Sequence, residues 1–197
     1  SRGLVGSEMC IRDRDQDYKK ALYYLSYEAN LGDDKAQYNL GIMYKKGLGV
    51  PVNNNEAFSW FFLSANQGNI LANYALGHAY LKGSGIKKNY KSALKAFKYA
   101  ALREHPSSRL IIGNMYYQGQ GVIVSYPRAF LWWSLAQDLN IGGASQNIDM
   151  IKKKMSKDQY SKAKEMYLMC MQNTLYNCTK KLDCLLYTSD AADDGVG

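Results

Sequence analysis

The stretch LGIMYKKGLGV, residues 40–50, decides how this chain folds. It sets glycines at 41, 47 and 49 among residues that otherwise favour helix. A glycine inside a helix costs about 1 kcal/mol relative to alanine, so Gly41 requires a compensating contact. The same pattern, Leu/Ile-Gly-x-x-Tyr-x-x-Gly-x-Gly-Val/Ile, returns at Leu76, Gly77, Tyr80, Gly83, Gly85 and Ile86, and again at Ile112, Gly113, Tyr116, Gly119, Gly121 and Val122. The step is 36 residues both times, the length of one supersecondary repeat.

Other positions keep that step. Ala21, Ala57, Ala93 and Ala129 form one series, Ala29, Ala65, Ala101 and Gln137 a second, and Ala36, Ala72, Ser108 and Ala144 a third. Asp17, Asn53, Asn89 and Ser125 each stand four residues before an alanine of the first series, and all are helix N-capping types, so each is predicted to start a helix. Gly47, Gly83 and Gly119 fall where a preceding helix must stop in the left-handed region. Each unit is therefore two helices joined by a glycine-bearing turn, and the first full unit predicts helices over 34–46 and 54–67. Gly41, Gly77 and Gly113 are expected where the two helices of a unit touch, the missing Cβ letting the neighbouring backbone approach. Tyr44, Tyr80 and Tyr116, with Phe61, Phe97 and Trp133, are expected to fill the layer between units.

These three glycine runs, together with the downstream stretches EAFSWFFLSA, SALKAFKYAA and RAFLWWSLAQ, resemble the Sel-one-like repeat, a relative of the tetratricopeptide repeat. The likeness stays in register across residues 15–144. It implies an all-α chain, a right-handed α-solenoid of antiparallel helix pairs. The expected divisions are the second helix of a truncated repeat over 15–33, repeats over 34–69, 70–105 and 106–141, and C-terminal capping helices over 142–183. At the far end Asp149 and Lys152 replace the repeated glycine and tyrosine, which stops the stack as a capping unit must. A last helix is predicted from Ser156, with Gln159 completing a capping box, lying over the final pair as a lid.

Residues 1–14 and 184–197 are read differently. LVGSEMCIRDR and CLLYTSDAAD resemble translated sequencing-adaptor sequence, because Met9 to Asp13 and Cys184 to Ser189 can be written as inverted copies of one DNA word. Both are expected to be non-native tails. The whole chain carries 25 basic and 17 acidic residues, +8; without the tails 22 and 12 remain, +10. Of the four cysteines, Cys170 and Cys178 lie within the native part, eight apart, and on one helix they would stand about 12 Å from each other, too far to bridge without a chain reversal. No apolar run approaches the roughly 20 residues of a membrane helix.

Catalytic and ligand-binding signals are sparse. Ser92-Ala-Leu-Lys95 fits the Ser-x-x-Lys of penicillin-recognising enzymes, and the resemblance admits β-lactam-acting relatives, but no Ser-Asp-Asn or Lys-Thr-Gly follows. His78 and His105 stand apart and form no metal-ligand pattern with the cysteines. The glycines of KGLGV and KGSGI follow helices, whereas a phosphate loop precedes one. The lysine pairs and Lys152 to Lys154 lack interleaved aromatic residues of the kind that stack on bases, so a nucleic-acid reading stands as an alternative behind a solvated basic surface. No enzyme activity, cofactor, metal or small-molecule substrate is expected, and the chain is expected to be a monomer.

What is left is recognition by a groove. Tyr38, Ile42, Lys45 and Lys46 fall on the face of their helix opposite Leu40 and Met43, and the 36-residue step carries that face to Tyr74, His78, Leu81 and Lys82, then to Leu110, Asn114, Tyr117 and Gln118. This set varies between units while the core series do not, which suits a concave surface for a peptide or protein partner with tyrosines as anchors. Resemblance adds bacterial signalling, envelope or host-interaction roles, in the cytoplasm, the periplasm or outside the cell.

Overall fold

The computed structural model describes the backbone of residues 2–172, 175, 177 and 178, and side chains from residue 16 onward within that set. The described residues are all-α. The helices are α1 (Arg2–Asn30), α2 (Asp34–Lys46), α3 (Asn54–Asn66), α4 (Ile70–Lys82), α5 (Tyr90–Ala101), α6 (Pro106–Gln118), α7 (Tyr126–Gln137), α8 (Ala144–Lys152) and α9 (Lys157–Gln172). They fall into two compact units, Ser1–Ala100 and Ala101–Gly197. No helix of the described residues is long and apolar enough to cross a membrane.

The predicted punctuation recurs with the predicted step. Gly47, Gly83 and Gly119 end α2, α4 and α6 at φ of 71°, 74° and 69°. In each turn that follows, the N–H of Asn53, Asn89 or Ser125 donates to the carbonyl of Tyr44, Tyr80 or Tyr116 at 2.9–3.0 Å, closing the loop on the helix it left. The Asn53 side chain then caps α3 by accepting from the N–H groups of Asn55 and Glu56, and Asn89 accepts from Ser92 at 3.0 Å at the start of α5. Ser125 occupies the cap position of α7 without a side-chain hydrogen bond.

Asp17 is a correction to the sequence reading. It lies inside α1, which already runs from Arg2, so it starts no helix. Residues 7–16 contain neither proline nor glycine, and a capping residue begins a helix only where the chain before it is not helical. The N-terminal stretch read as an adaptor tail thus has helical backbone, whereas 184–197 lie outside the described residues. A second series of caps, Asp33, Asn69 and His105, opens the first helices: Asp33 and Asn69 accept from the N–H of Ala36 and Ala72 at 2.6 and 2.9 Å, and His105 Nδ1 meets Ser108 Oγ at 2.9 Å.

Packing inside each pair answers the question posed by Gly41. A Cβ at Gly41 would stand 2.6 Å from the Phe61 ring, one at Gly77 would stand 2.7 Å from the Phe97 ring, and one at Gly113 would collide with the Trp133 indole. The missing side chain is filled by an aromatic ring of the second helix, rather than mainly by backbone as expected. Phe61, Phe97 and Trp133 are all essentially inaccessible. Burying a large aromatic side chain returns about 1.5–3 kcal/mol, more than the glycine penalty.

The second glycine of each turn has its own role. A Cβ at Gly49 would meet the backbone carbonyl of Tyr18 in α1 at 2.9 Å, and one at Gly85 would run into the carbonyl of Asn54 in α3. Tyr18 and Asn54 are themselves 36 residues apart, so the glycine turn of each of these repeats seats on the same repeat position of the preceding second helix, inside α1 for Gly49 and at the first turn of α3 for Gly85. Polar contacts repeat across the same seams: Gln37 and Asn73 donate their side-chain amides to the carbonyls of Ala29 and Ala65 at 3.1 and 3.2 Å.

In the second unit α7 packs on α6, α8 and α9. The capping box forms as read, Ser156 N–H to Gln159 Oε1 and Gln159 N–H to Ser156 Oγ, both 3.1 Å. Helix α9 is held to its neighbours by Tyr160 edge-on to Phe130 and by Tyr167 O–H donating to Asp138 at 3.0 Å. Cys170 and Cys178 form a disulfide with Cα atoms 5.0 Å apart, well short of the about 12 Å expected had both lain on one uninterrupted helix.

Candidate functional site

The first unit contains a cleft of about 310 Å³ where α3 faces α4. From the sequence-derived face it gathers Lys45, Tyr74, His78 and Lys82. Its floor is apolar: Ala57, Phe61, Ala75 and Ala79 are buried, and Phe58 is half-buried at the side. Asn54 and Ser84 complete the lining.

Aromatic packing fixes the wall. The Tyr74 ring stands edge-on to His78 at 4.7 Å, and both stand edge-on to Phe97, at 5.9 and 5.2 Å. Phe97 is the ring seated on Gly77, so the repeat's own core sets the orientation of the two cleft residues. At the mouth, burial first and then the neighbouring Lys82 and Lys46 ammoniums push the Lys45 amine below the ordinary lysine value. No carboxylate belongs to the lining.

The remaining residues of the face do other things. Tyr38 and Ile42 are half-buried and pack against Ala57, Phe61 and Ala75, with the Tyr38 ring 5.8 Å from that of Phe61; they support the floor from behind. Burial raises the Tyr38 phenol above its usual range, and the neighbouring Tyr74 adds to this. Lys46 is exposed and Leu81 half-buried, both outside the lining.

In the second unit three of the four equivalent positions, Leu110, Asn114 and Tyr117, make internal contacts. The Leu110 carbonyl and Asn114 Oδ1 accept from the Trp133 indole N–H at 3.2 and 3.0 Å, and Asn147 also donates to Asn114. Tyr117 packs between Tyr126 and Trp133, with the Lys154 ammonium over its ring at 4.9 Å and bonded to its hydroxyl. Gln118 is exposed. The twelve residues therefore do not form one uniform surface: four line a cleft, and Asn114 and Tyr117 hold α7 and the Lys154 segment.

Two of the floor residues, Ala57 and Phe61, come from the opposite side of the seam, the second helix of the preceding repeat, whereas Ala75 and Ala79 lie on α4 itself. One signal was present in the sequence. Position 79 is alanine where the neighbouring repeats have Met43 and Met115, and position 75 is alanine where they have Asn39 and Ile111. Two shorter side chains in one repeat leave more room at its seam.

Ser92 and Lys95 lie elsewhere, in the first turns of α5, with Ser92 N–H bonded to the Asn89 cap and Lys95 exposed. Among the described residues no group of three or more His, Cys, Asp or Glu side chains could hold a metal ion.

A family model for the Sel1 repeat matches residues 10–33, 34–69, 70–105 and 106–140. This chain belongs to the Sel1 repeat family. The cleft of this Sel1 repeat chain lies at the seam between the second and third matched segments. Two solved structures carry the same fold. One is a protective antigen present in uropathogenic Escherichia coli strains and displaying an SLR fold, with TM-score 0.71, 27% identity, and 83% of this chain aligned to 35% of that one. The other is a Sel1 repeat protein from Oxalobacter formigenes, with TM-score 0.64, 27% identity, and 75% of this chain aligned to 64% of that one. The aligned region thus spans about a third and just under two thirds of these relatives. Comparison with curated proteins gives no match.

Proposed function

We propose that this Sel1 repeat chain is a non-catalytic interaction scaffold that docks a peptide segment of a protein partner at the seam cleft of its first unit. The observation that supports this most is the convergence of Lys45, Tyr74, His78 and Lys82 over a buried floor of alanine and phenylalanine. Aromatic residues set in an apolar recess with polar groups at the rim have the composition of a binding hot spot. The volume, at the small end of ligand pockets, suits one or two side chains of a longer segment.

Selection of a displayed random-peptide library on the immobilised protein tests the reading. Peptides that emerge are expected to lose binding to the Tyr74→Ala and Phe58→Ala variants and to keep it for Ser161→Ala, an exposed position on α9. Selected peptides that bind all variants equally would place recognition on another surface and end the proposal.

A further inference from the structure

We infer that the seam cleft is selective for an acidic side chain of its partner segment, a glutamate or aspartate whose carboxylate sits between Lys45 and Lys82 while an adjacent apolar side chain rests on the alanine floor. This rests on the docking role proposed above.

Three observations carry it. Lys45 comes from α2 and Lys82 from α4, so the two side chains belong to successive repeats of the first unit and line one cleft only because those repeats pack together. Among the described residues neither forms an ion pair with a carboxylate, and the rest of the lining supplies no acidic group to neutralise them. Burial first, and then the nearby Lys82 charge, lowers the Lys45 amine, in keeping with two cations that share one recess. A carboxylate arriving between like charges relieves that repulsion and gains two charge-assisted hydrogen bonds, in a partly desolvated position where such bonds are stronger than at an open surface.

The floor adds the second half of the specificity. Ala75 and Ala79 occupy positions that carry larger side chains in the flanking repeats, which leaves room in this seam beside the lysines. The occupant is therefore amphipathic, with an acidic tip next to an apolar body. An anionic lipid surface would meet the charges but is too broad to enter a recess of about 310 Å³.

Fluorescence anisotropy of a labelled short peptide alternating glutamate with leucine and tyrosine tests the inference, beside a counterpart with every glutamate replaced by glutamine. The glutamate peptide is expected to bind and to weaken as salt rises. Lys45→Gln with Lys82→Gln should weaken it about 10-fold, in line with two partly exposed charge pairs. Lys162→Gln on α9 should leave it unchanged. Ala79→Met, which installs the residue found at 43 and 115, should abolish binding of the peptide without disturbing the fold, as the far-UV circular dichroism of each variant will show.

Equal binding of the glutamine peptide, or of the lysine double variant, overturns the acidic selectivity; if Ala79→Met still blocks both peptides, docking in the cleft survives that failure. Absence of binding by the glutamate peptide overturns the inference as well, while the library selection decides the docking role independently. Phosphatidylglycerol vesicles should show no capture that depends on Lys45 and Lys82. Capture of that kind, without peptide binding, assigns the lysines to a membrane surface and refutes the inference.

Discussion

Replacing Gly77 with alanine tests the packing on which the cleft and the repeat both depend. Gly77 lies in the middle of α4 with ordinary helical backbone, so alanine there should by propensity stabilise the helix by about 1 kcal/mol. Tertiary contact opposes it. The added Cβ would stand 2.7–2.8 Å from three carbons of the Phe97 ring, and ordinary carbon contact needs about 3.5–4.0 Å, so the ring must retreat by about 1 Å. Phe97 has no exposed surface and is flanked by Tyr74 and His78, which leaves it nowhere to go. Overpacking costs about 1–3 kcal/mol, and a ring with no room to retreat places this one at about 2–3 kcal/mol, so after the propensity gain of about 1 kcal/mol the net change is a destabilisation of about 1–2 kcal/mol. Urea unfolding followed by circular dichroism reads it directly, and the midpoint of thermal unfolding should fall by about 2–8 °C for a chain of this size. The Gly77→Ala, Phe97→Leu double variant should cost less than the sum of the two single ones, because the smaller side chain leaves room for the new methyl. A Gly77→Ala protein as stable as the parent, or more so, would refute the ring-on-glycine account.

Gly85→Ala should be more damaging than Gly83→Ala by about 2 kcal/mol in the same unfolding assay: both have φ of 74°, but a Cβ at 85 meets the Asn54 carbonyl, which is backbone, whereas one at 83 has 3.4 Å of clearance. Asn69→Ala should lose about 1 kcal/mol through its cap on α4 and its bond to Asp34, while Ser125→Ala, at a cap position without a side-chain bond, should be close to neutral. Burial lowers the His105 imidazole below its ordinary value, so the folded state resists its protonation; stability is full above the unfolded pKa near 6.5 and is lost as pH falls through the lower folded value. Thermal unfolding between pH 7 and 5 should show that loss, and His105→Asn, the residue type found at position 69, should flatten it.

How much of this was legible in the sequence varies with the residues concerned. The 36-residue step, the stop glycines at 47, 83 and 119, the caps at Asn53 and Asn89, and the Ser156 box concern neighbours within a few positions, where local backbone chemistry leaves little choice. The helices read over 34–46 and 54–67 end within a residue of those in the structure for the same reason. Pairing within a repeat was also legible, because a glycine recurring inside a helix makes sense only against a close neighbour.

The site was legible in half. Periodicity put Lys45, Tyr74, His78 and Lys82 on one face, but the same rule put Asn114 and Tyr117 there, and those side chains are taken up by Trp133 and Lys154. It also gave no warning that Tyr38 and Ile42 would turn toward Phe61. Helical spacing specifies the direction of a side chain relative to its own axis and says nothing about what stands opposite. Which surface becomes floor, wall or open mouth depends on the partner helix brought up from 36 residues away, and on whether that partner presents a methionine or an alanine. Local chemistry therefore determined the repeat, its pairs and its turns, whereas the docking of unlike repeats, through volume and charge that add up only across a seam, decided where a cleft could exist.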